Sequence, residues 1–328
     1  MLKLFREQAA SLHVIAAGSL LGTALARPHS YPVGQVNLME LRPLAFGEFL
    51  AAVDPPLFSF CQGIRKGDEI EEIFHEKLLE AQSLYFIVGG MPECVSSWAA
   101  HRDPEKITRI QRDLCMLCES DITKRNGRID AGKILQVLRS IPSQLAKENE
   151  KFIWGAVREG ARARDFETAI EWLASAGLVN RLFNVSAPLH PLPAYDRLGH
   201  FKLFFFDTGL LKCLSGTESS AILLDEPFAF KGALAENYVL QQLRGQFEVE
   251  PRYFASPGME IDFLVQAGSD IISIEAKAGS DKSAPSFKRF VKERSPRRAI
   301  RFSKRNCRTD GAFTNLPLYL APRLRDFL

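Results

Sequence analysis

Acidic side chains interrupt two apolar, strand-like runs near the C-terminal end, EIDFLVQ and IISIEAKA, at Asp262 and Glu275. With PRYFAS they form three short strand candidates in succession. The segment before them, FKGALAENYVLQQLRG from Phe230, has apolar residues at helical spacing and Gly245 at its end. The hydrophobic period therefore changes from helical to alternating, which predicts a helix leading into an antiparallel meander in a mixed α/β unit. PSFKRFVKE then reads as a helix and RAIRFS as a further strand. Strand side chains alternate, so Glu275 and Lys277 share one face. If EIDFLVQ and IISIEAKA pair through a turn at Gly268 to Asp270, Asp262 sits beside Glu275. Two carboxylates so placed suit one hard divalent cation, Mg²⁺ or Mn²⁺, with Glu236 completing the shell from the helix. Such a cation could polarise a scissile phosphate and activate water, and Lys277 could orient that water or neutralise developing charge. The spacing alone, D-x12-E-x-K, also arises by chance on solvated faces. The acids carry weight because they stand in strands that are otherwise apolar.

A chain of 328 residues with 46% hydrophobic content exceeds one ordinary core, so two or three units are expected, an α/β multidomain protein. Residues 1–50 read as a strand from His13 (HVIAAGS), a Gly/Ser turn and a second strand in PVGQVNL: the end of a larger sheet whose preceding strands are missing. Residues 51–127 have helical spacing and read as a connector. Residues 128–198 suggest a helix in AGKILQVLRSI stopping before Pro142, a second in SQLAKENEKFIWGAV, and a third in RDFETAIEWLASAG with Asp165 as N-cap and Gly177 at its end. LVNRLFNV follows as a strand, then a turn with Pro188, Pro191 and Pro193, which together predict a winged-helix-like unit. Residues 199–328 form the last unit, opening with FKLFFFDTGLL read as a strand. Gly89-Gly90-Met91-Pro92 reads as a turn.

The net charge of +3 conceals an asymmetry. From Lys288 to Arg308 there are ten basic residues against Glu293 alone, a local +9, which leaves 3 − 9 = −6 for the rest. Such a tract attracts polyanions, and Lys288, Arg289 and Lys292 on the helical side are the expected nucleic-acid contacts. Six cysteines are too sparse for a disulfide scaffold. Cys115 and Cys118 have the spacing of half a zinc site but no second close pair, so no structural zinc is expected. No apolar run approaches a membrane span and no signal-peptide pattern opens the chain, so a cytoplasmic protein without a membrane partner is expected. ILLDEPF from Ile222 resembles the acidic strand of P-loop NTPases, yet no GxxxxGK[ST] phosphate cradle accompanies it, and it reads as a loop after a strand.

Over nearly its whole length the chain resembles the C-terminal two-thirds of a widespread prokaryotic family of AAA-type ATPases. That family's nucleotide-binding core is followed by a domain of unknown function ending in a restriction-endonuclease-like, PD-(D/E)XK module. The strings carrying the resemblance include VIAAGSLLG, YPVGQVNLMELRPLAFGEFL, YFIVGGMPECV, FKLFFFDTGLL, GALAENYV, EIDFLV and IEAKAG. It implies a remnant of a P-loop ATPase sheet, a helical connector, a winged-helix-like unit and an endonuclease-like domain. It also implies a γ-phosphate sensor at Ser19, and the endonuclease pattern on Glu236, Asp262, Glu275 and Lys277. The family's phosphate loop would precede Met1, so ATP is expected as a ligand only of full-length relatives. Three readings remain: a metal-dependent nuclease, a module that binds nucleic acid or protein without cutting, and a gene fragment without function.

Overall fold

The computed structural model describes residues 39–125, 129–147, 151–225, 229–280, 284–310 and 313–328, with isolated positions before 39. The described residues 13–15 do not form the expected strand from His13, and Ser19 with residues 20–36 lies outside the described residues. The helical reading of the next segment holds. Five helices follow, α1 (Phe46–Val53), α2 (Pro55–Gly63), α3 (Glu72–Val88), α4 (Pro92–His101) and α5 (Pro104–Arg125). Asp54 caps α2 by accepting from the Leu57 N–H at 3.0 Å, ahead of prolines at the first helical positions.

Three features of the following segment differ from expectation. Helix α6 (Ala131–Ala146) runs through Pro142 instead of stopping before it. Burial of Ile134, Val137, Leu138 and Ile141 carries the helix past the lost hydrogen bond, and Gln144 in its last turn clamps both the N–H and C=O of Ile153. The next helical pattern is reduced to a single turn, α7 (Trp154–Val157). In α8 (Ala163–Ser175) Arg162 occupies the N-cap, and Asp165 sits one turn in, accepting the Arg162 N–H at 2.8 Å. Gly177 takes a positive φ just past α8, as expected.

The strands are β1 (Val179–Val185), β2 (Asp196–Phe205), β3 (Arg252–Ser256), β4 (Met259–Ala267), β5 (Asp270–Ala276), β6 (Arg298–Ser303), β7 (Arg308–Asp310) and β8 (Phe313–Pro317). Among the described residues they form one eight-stranded sheet in the order β2-β1-β3-β4-β5-β6-β8-β7. The β3-β4-β5 meander is antiparallel as expected, whereas β1/β3, β5/β6 and β6/β8 pair in parallel. The boundary expected at 198/199 therefore falls inside β2, and residues 179–205 extend the same sheet instead of closing a separate winged-helix unit. Pairing of β1 with β3 supplies the physical reason: it satisfies a strand edge that an isolated hairpin would leave open.

The FKLFFFDTGLL segment is a strand only to Phe205; α9 (Thr208–Ser215) follows, then α10 (Ser219–Leu223) and α11 (Lys231–Leu243). ILLDEPF accordingly begins in a helix, not a strand. Its Asp225 pairs with Lys231 and Lys304, and residues 226–228 lie outside the described residues. Helix α12 (Pro285–Arg294) covers the other sheet face through Phe287, Phe290 and Val291, over Phe254, Ile261, Leu264 and Phe313. Among the described residues, no helix is long and apolar enough to cross a membrane.

One buried aspartate locks the helical layer to the sheet. Asp207 is fully buried and caps α9: its Oδ1 accepts from Leu210 N–H at 2.9 Å and its Oδ2 from Gly90 N–H at 2.7 Å. Gln241 on α11 donates to the same Oδ2 at 3.3 Å. Gly89 and Gly209 meet backbone to backbone, so that a Cβ on Gly89 would lie 2.4 Å from Asp207 Oδ1 and 2.9 Å from Gly209 Cα. The Gly89-Gly90 turn is thus a docking surface for the Asp207-Thr208-Gly209 turn.

Candidate functional site

The predicted pairing of β4 with β5 is present, with Phe263 opposite Ile274 and Leu264 opposite Ser273. This register carries Asp262 to the position beside Glu275, and Asp262 Oδ2 accepts the Ala276 N–H at 2.8 Å. Lys277 emerges one residue past β5 and its Nζ lies 2.7 Å from Glu275 Oε1. Glu236 comes from the middle of α11, half-buried, and its charge is felt by Glu275 and Lys277. The four residues singled out in the sequence therefore converge.

Two further residues belong to the cluster. Lys202, on β2 and only 9% exposed, places Nζ 2.6 Å from Glu260 Oε1 and 5.3 Å from the centroid of the Tyr253 ring. Glu260 stands two residues before Asp262 on β4. Its backbone is fastened to α12, its N–H donating to Ser286 Oγ at 2.5 Å and its C=O accepting from that hydroxyl at 3.1 Å. Period-two alternation on EIDF put Glu260 and Asp262 on one face and could have flagged Glu260. Nothing in the sequence tied Lys202 to this site, because it lies 60 residues before Asp262 and reaches it only through β1 and β3.

The electrostatics are those of an under-compensated acid cluster. Fully ionised, Glu236, Glu260, Asp262 and Glu275 with Lys202 and Lys277 sum to 2 − 4 = −2. Burial pushes the Glu275 carboxyl up to about 8, with Asp262 adding repulsion and Lys277 opposing it. Burial likewise pushes Glu236 up to about 7, reinforced by Asp262 and opposed by Lys202. Asp262 is raised by burial against the pull of Lys277 and Lys202. For Lys277, burial works against the charged form but Glu275 and Asp262 outweigh it, so its pKa rises. Lys202 behaves alike under Glu236 and Glu260. Proton uptake or a bound cation relieves the same negative excess.

No group of three or more His, Cys, Asp or Glu side chains among the described residues forms a ready-made metal site. The donor chemistry of Asp262 and Glu275 nevertheless fits a hard cation. Their described bonds engage Asp262 Oδ2 and Glu275 Oε1, and leave Asp262 Oδ1 and Glu275 Oε2 unengaged by those bonds.

The basic tract does not form one patch. Arg301 is 1% exposed, donates to Asn315 Oδ1 at 3.0 Å and stacks over Phe313. Arg297 pairs with Asp270, Lys304 with Asp225 and Arg289 with Glu293. β6 holds Arg301 inside the sheet, and Arg297 and Lys304 are engaged by acids distant in the sequence. Lys288, Arg289 and Lys292 do lie on the exposed side of α12, the helix whose Ser286 holds Glu260. Cys115 and Cys118 are half-buried free thiols on α5.

Two family models match the chain, both described as domains of unknown function: DUF8612 over residues 79–221 and DUF4143 over residues 231–320. Lys202 and the Gly89/Asp207 junction fall in the first match, and Glu236, Glu260, Asp262, Glu275 and Lys277 in the second. No curated protein and no solved structure matches the chain.

Proposed function

We propose that the cluster is a metal-dependent phosphodiester-hydrolysing site of nuclease type. The observation that carries this reading is the convergence of Asp262, Glu275 and Lys277 in the β4/β5 register, beside Glu236, with four carboxylates against two lysines. The order helix α11, meander β3-β4-β5, helix α12, parallel strand β6 supports the endonuclease-like reading of this part of the chain. Asp262 and Glu275 would hold Mg²⁺ or Mn²⁺, with Glu236 able to contribute from α11. When bound, the cation would polarise the phosphate and acidify a water. Lys277, held against Glu275, presents an ammonium at the position where negative charge develops on the phosphoryl oxygens. Glu236, raised to about 7 in the absence of a cation, would give up its proton as the cation binds. Lys288, Arg289 and Lys292 would meet more distant phosphates of the same strand and add affinity without sequence preference.

The test is calorimetric Mn²⁺ titration beside cleavage of single-stranded and duplex DNA and RNA. Wild-type chain should bind Mn²⁺ and cleave. Asp262→Ala should lose both, whereas Lys277→Ala should keep Mn²⁺ and lose cleavage at least about 100-fold. A wild-type chain that binds no divalent cation at millimolar concentration defeats the reading. Cation binding that survives Asp262→Ala defeats the ligand assignment alone.

A further inference from the structure

Away from the carboxylates, four of the six cysteines gather where α4, α5 and α9 pack: Cys94, Cys115, Cys118 and Cys213. Gly209, near the start of α9, lies against Gln111 of α5, so close that a Cβ there would stand 2.8 Å from Gln111 Nε2. That amide is itself fixed, donating to the Ile87 and Val88 carbonyls at 2.7 and 3.1 Å. One turn further along each helix come Cys213 and Cys115, and residues four apart share a helix face. The two thiols accordingly meet in a hydrogen bond across the helix contact. Both are half-buried, whereas Cys94 is fully buried. The charges that act on Cys213 are both positive: Lys212, only 3% exposed, and Arg112 on α5. The bond from Cys115, joined by these two cations, outweighs burial and brings the Cys213 thiol down to about 7. The same bond and burial push Cys115 up, so the shared proton stays on Cys115. Burial pushes Cys94 up to about 12, which leaves it a packing thiol.

We propose that Cys213 and Cys115 are a site of reversible oxidation, at which a hydroperoxide converts the two thiols to a disulfide that joins α9 to α5. In the first step the Cys213 thiolate attacks one peroxide oxygen. The S–O bond forms as the O–O bond breaks, the departing hydroxide takes up a proton and leaves as water, and Cys213 becomes a sulfenic acid, oxidised by two electrons. The hydrogen bond that held the proton on Cys115 is lost at that moment, because its acceptor is no longer a thiolate. Cys115 then sheds its proton and attacks the Cys213 sulfur. The S–S bond forms, the S–O bond breaks and a second water departs. One peroxide and two thiols thus give one disulfide and two waters, and an external dithiol reverses the change. The new bond would lie one turn from Gly209 and brace the Gly89/Asp207 junction from the α5 side. The site shares no residue with the carboxylate cluster and is independent of the nuclease reading.

The test treats the reduced full chain at pH 7 with a small excess of hydrogen peroxide, quenches with N-ethylmaleimide, and reads the intact mass and the tryptic map. Wild type should lose two alkylated thiols, yield a peptide pair cross-linked through Cys115 and Cys213, and recover both thiols in dithiothreitol. Cys213 should react about five-fold faster than glutathione under the same conditions, its larger thiolate fraction being partly offset by lower nucleophilicity. Cys115→Ser should form no disulfide and leave Cys213 as a sulfenic acid that dimedone traps. Cys118→Ser should oxidise within about two-fold of the wild-type rate. The wild-type map decides the pairing without any variant, so a substitution that fails to fold does not shelter the proposal. Cys213 that stays alkylated after peroxide overturns it, as does a cross-link that omits either Cys115 or Cys213. Oxidation of Cys213 no faster than that of glutathione also overturns it, and so does a disulfide found only between two chains, seen as a dimer on a non-reducing gel.

Discussion

Asp207 and the Glu236/Asp262/Glu275 cluster are both carboxylates taken out of water, and burial raises the pKa of each. They differ in what faces them. Asp207 receives N–H groups from Gly90 and Leu210 and the Gln241 amide, donors that neutral backbone and side chain hold in fixed positions. Among the described residues the cluster has one backbone donor, from Ala276, and otherwise relies on Lys277 and Lys202, which leaves an excess of two negative charges when every group is ionised. A satisfied buried acid rigidifies a junction. An acid cluster that lacks compensation is an unfinished site, stable only in the presence of a proton, a cation or a ligand. That contrast separates the structural acid from the candidate catalytic ones more surely than burial does.

The contrast breaks first at the junction. Gly89 holds φ 75 and ψ −169, a region that side-chain-bearing residues avoid, and its missing Cβ leaves room for Asp207 Oδ1 and Gly209 Cα. Gly89→Ala combines that backbone strain with overpacking, and should cost about 3 kcal/mol or more. Asp207→Asn keeps the shape but turns one acceptor into a donor facing another N–H, and should cost about 1–3 kcal/mol. Urea unfolding checks both. Losses below about 0.5 kcal/mol at both positions would show that the two turns merely touch.

The second expectation has the opposite sign. A carboxyl whose folded pKa lies above its unfolded value binds more protons when folded, so stability falls as pH rises from the unfolded value through the folded one. For Glu275 and Glu236 that window runs from about 4.5 to about 8 and about 7. In EDTA the melting temperature of the chain should therefore drop between pH 5.5 and pH 8.5, by several degrees for shifts of this size. Glu275→Gln, which removes a like charge while keeping the shape, should flatten the drop and equal or exceed wild-type stability at pH 8.5. Glu275→Gln as damaging as Asp207→Asn would erase the distinction between the two regions.

How much of this was readable in the sequence follows the same division. The meander, α11, α12 and β6 were legible because their periodicity is local, and Asp262, Glu275 and Lys277 because alternation and a short turn bring them together. Lys202 was not, since its approach depends on the parallel pairing of β1 with β3, a contact with no local signature. Nor was the role of Gly89: a Gly-Gly turn reads the same whether solvent or Asp207 faces it. Pro142 misled because burial of its helix outweighed a rule about the backbone. The burial of Arg301 was not legible, because a basic run hides which of its members a strand turns inward.

The smallest effect is also the most selective. If cation and proton compete for the same excess charge, loading the cluster must expel protons, whereas Asp207, with its donors fixed, takes no part. Mn²⁺ titrated into the chain at pH 7 in buffers of different ionisation enthalpy should show release of about one proton per cation. The release should shrink toward pH 8.5, where Glu236 is already ionised and Glu275 mostly so, and it should fall by about a third in Glu236→Gln. Asp207→Asn, if it folds, should leave the release unchanged. A binding enthalpy independent of buffer would mean that the cation displaces no proton. The excess charge at the cluster would then be balanced by its lysines alone, and the difference between the two buried acids would be one of donors and not of function.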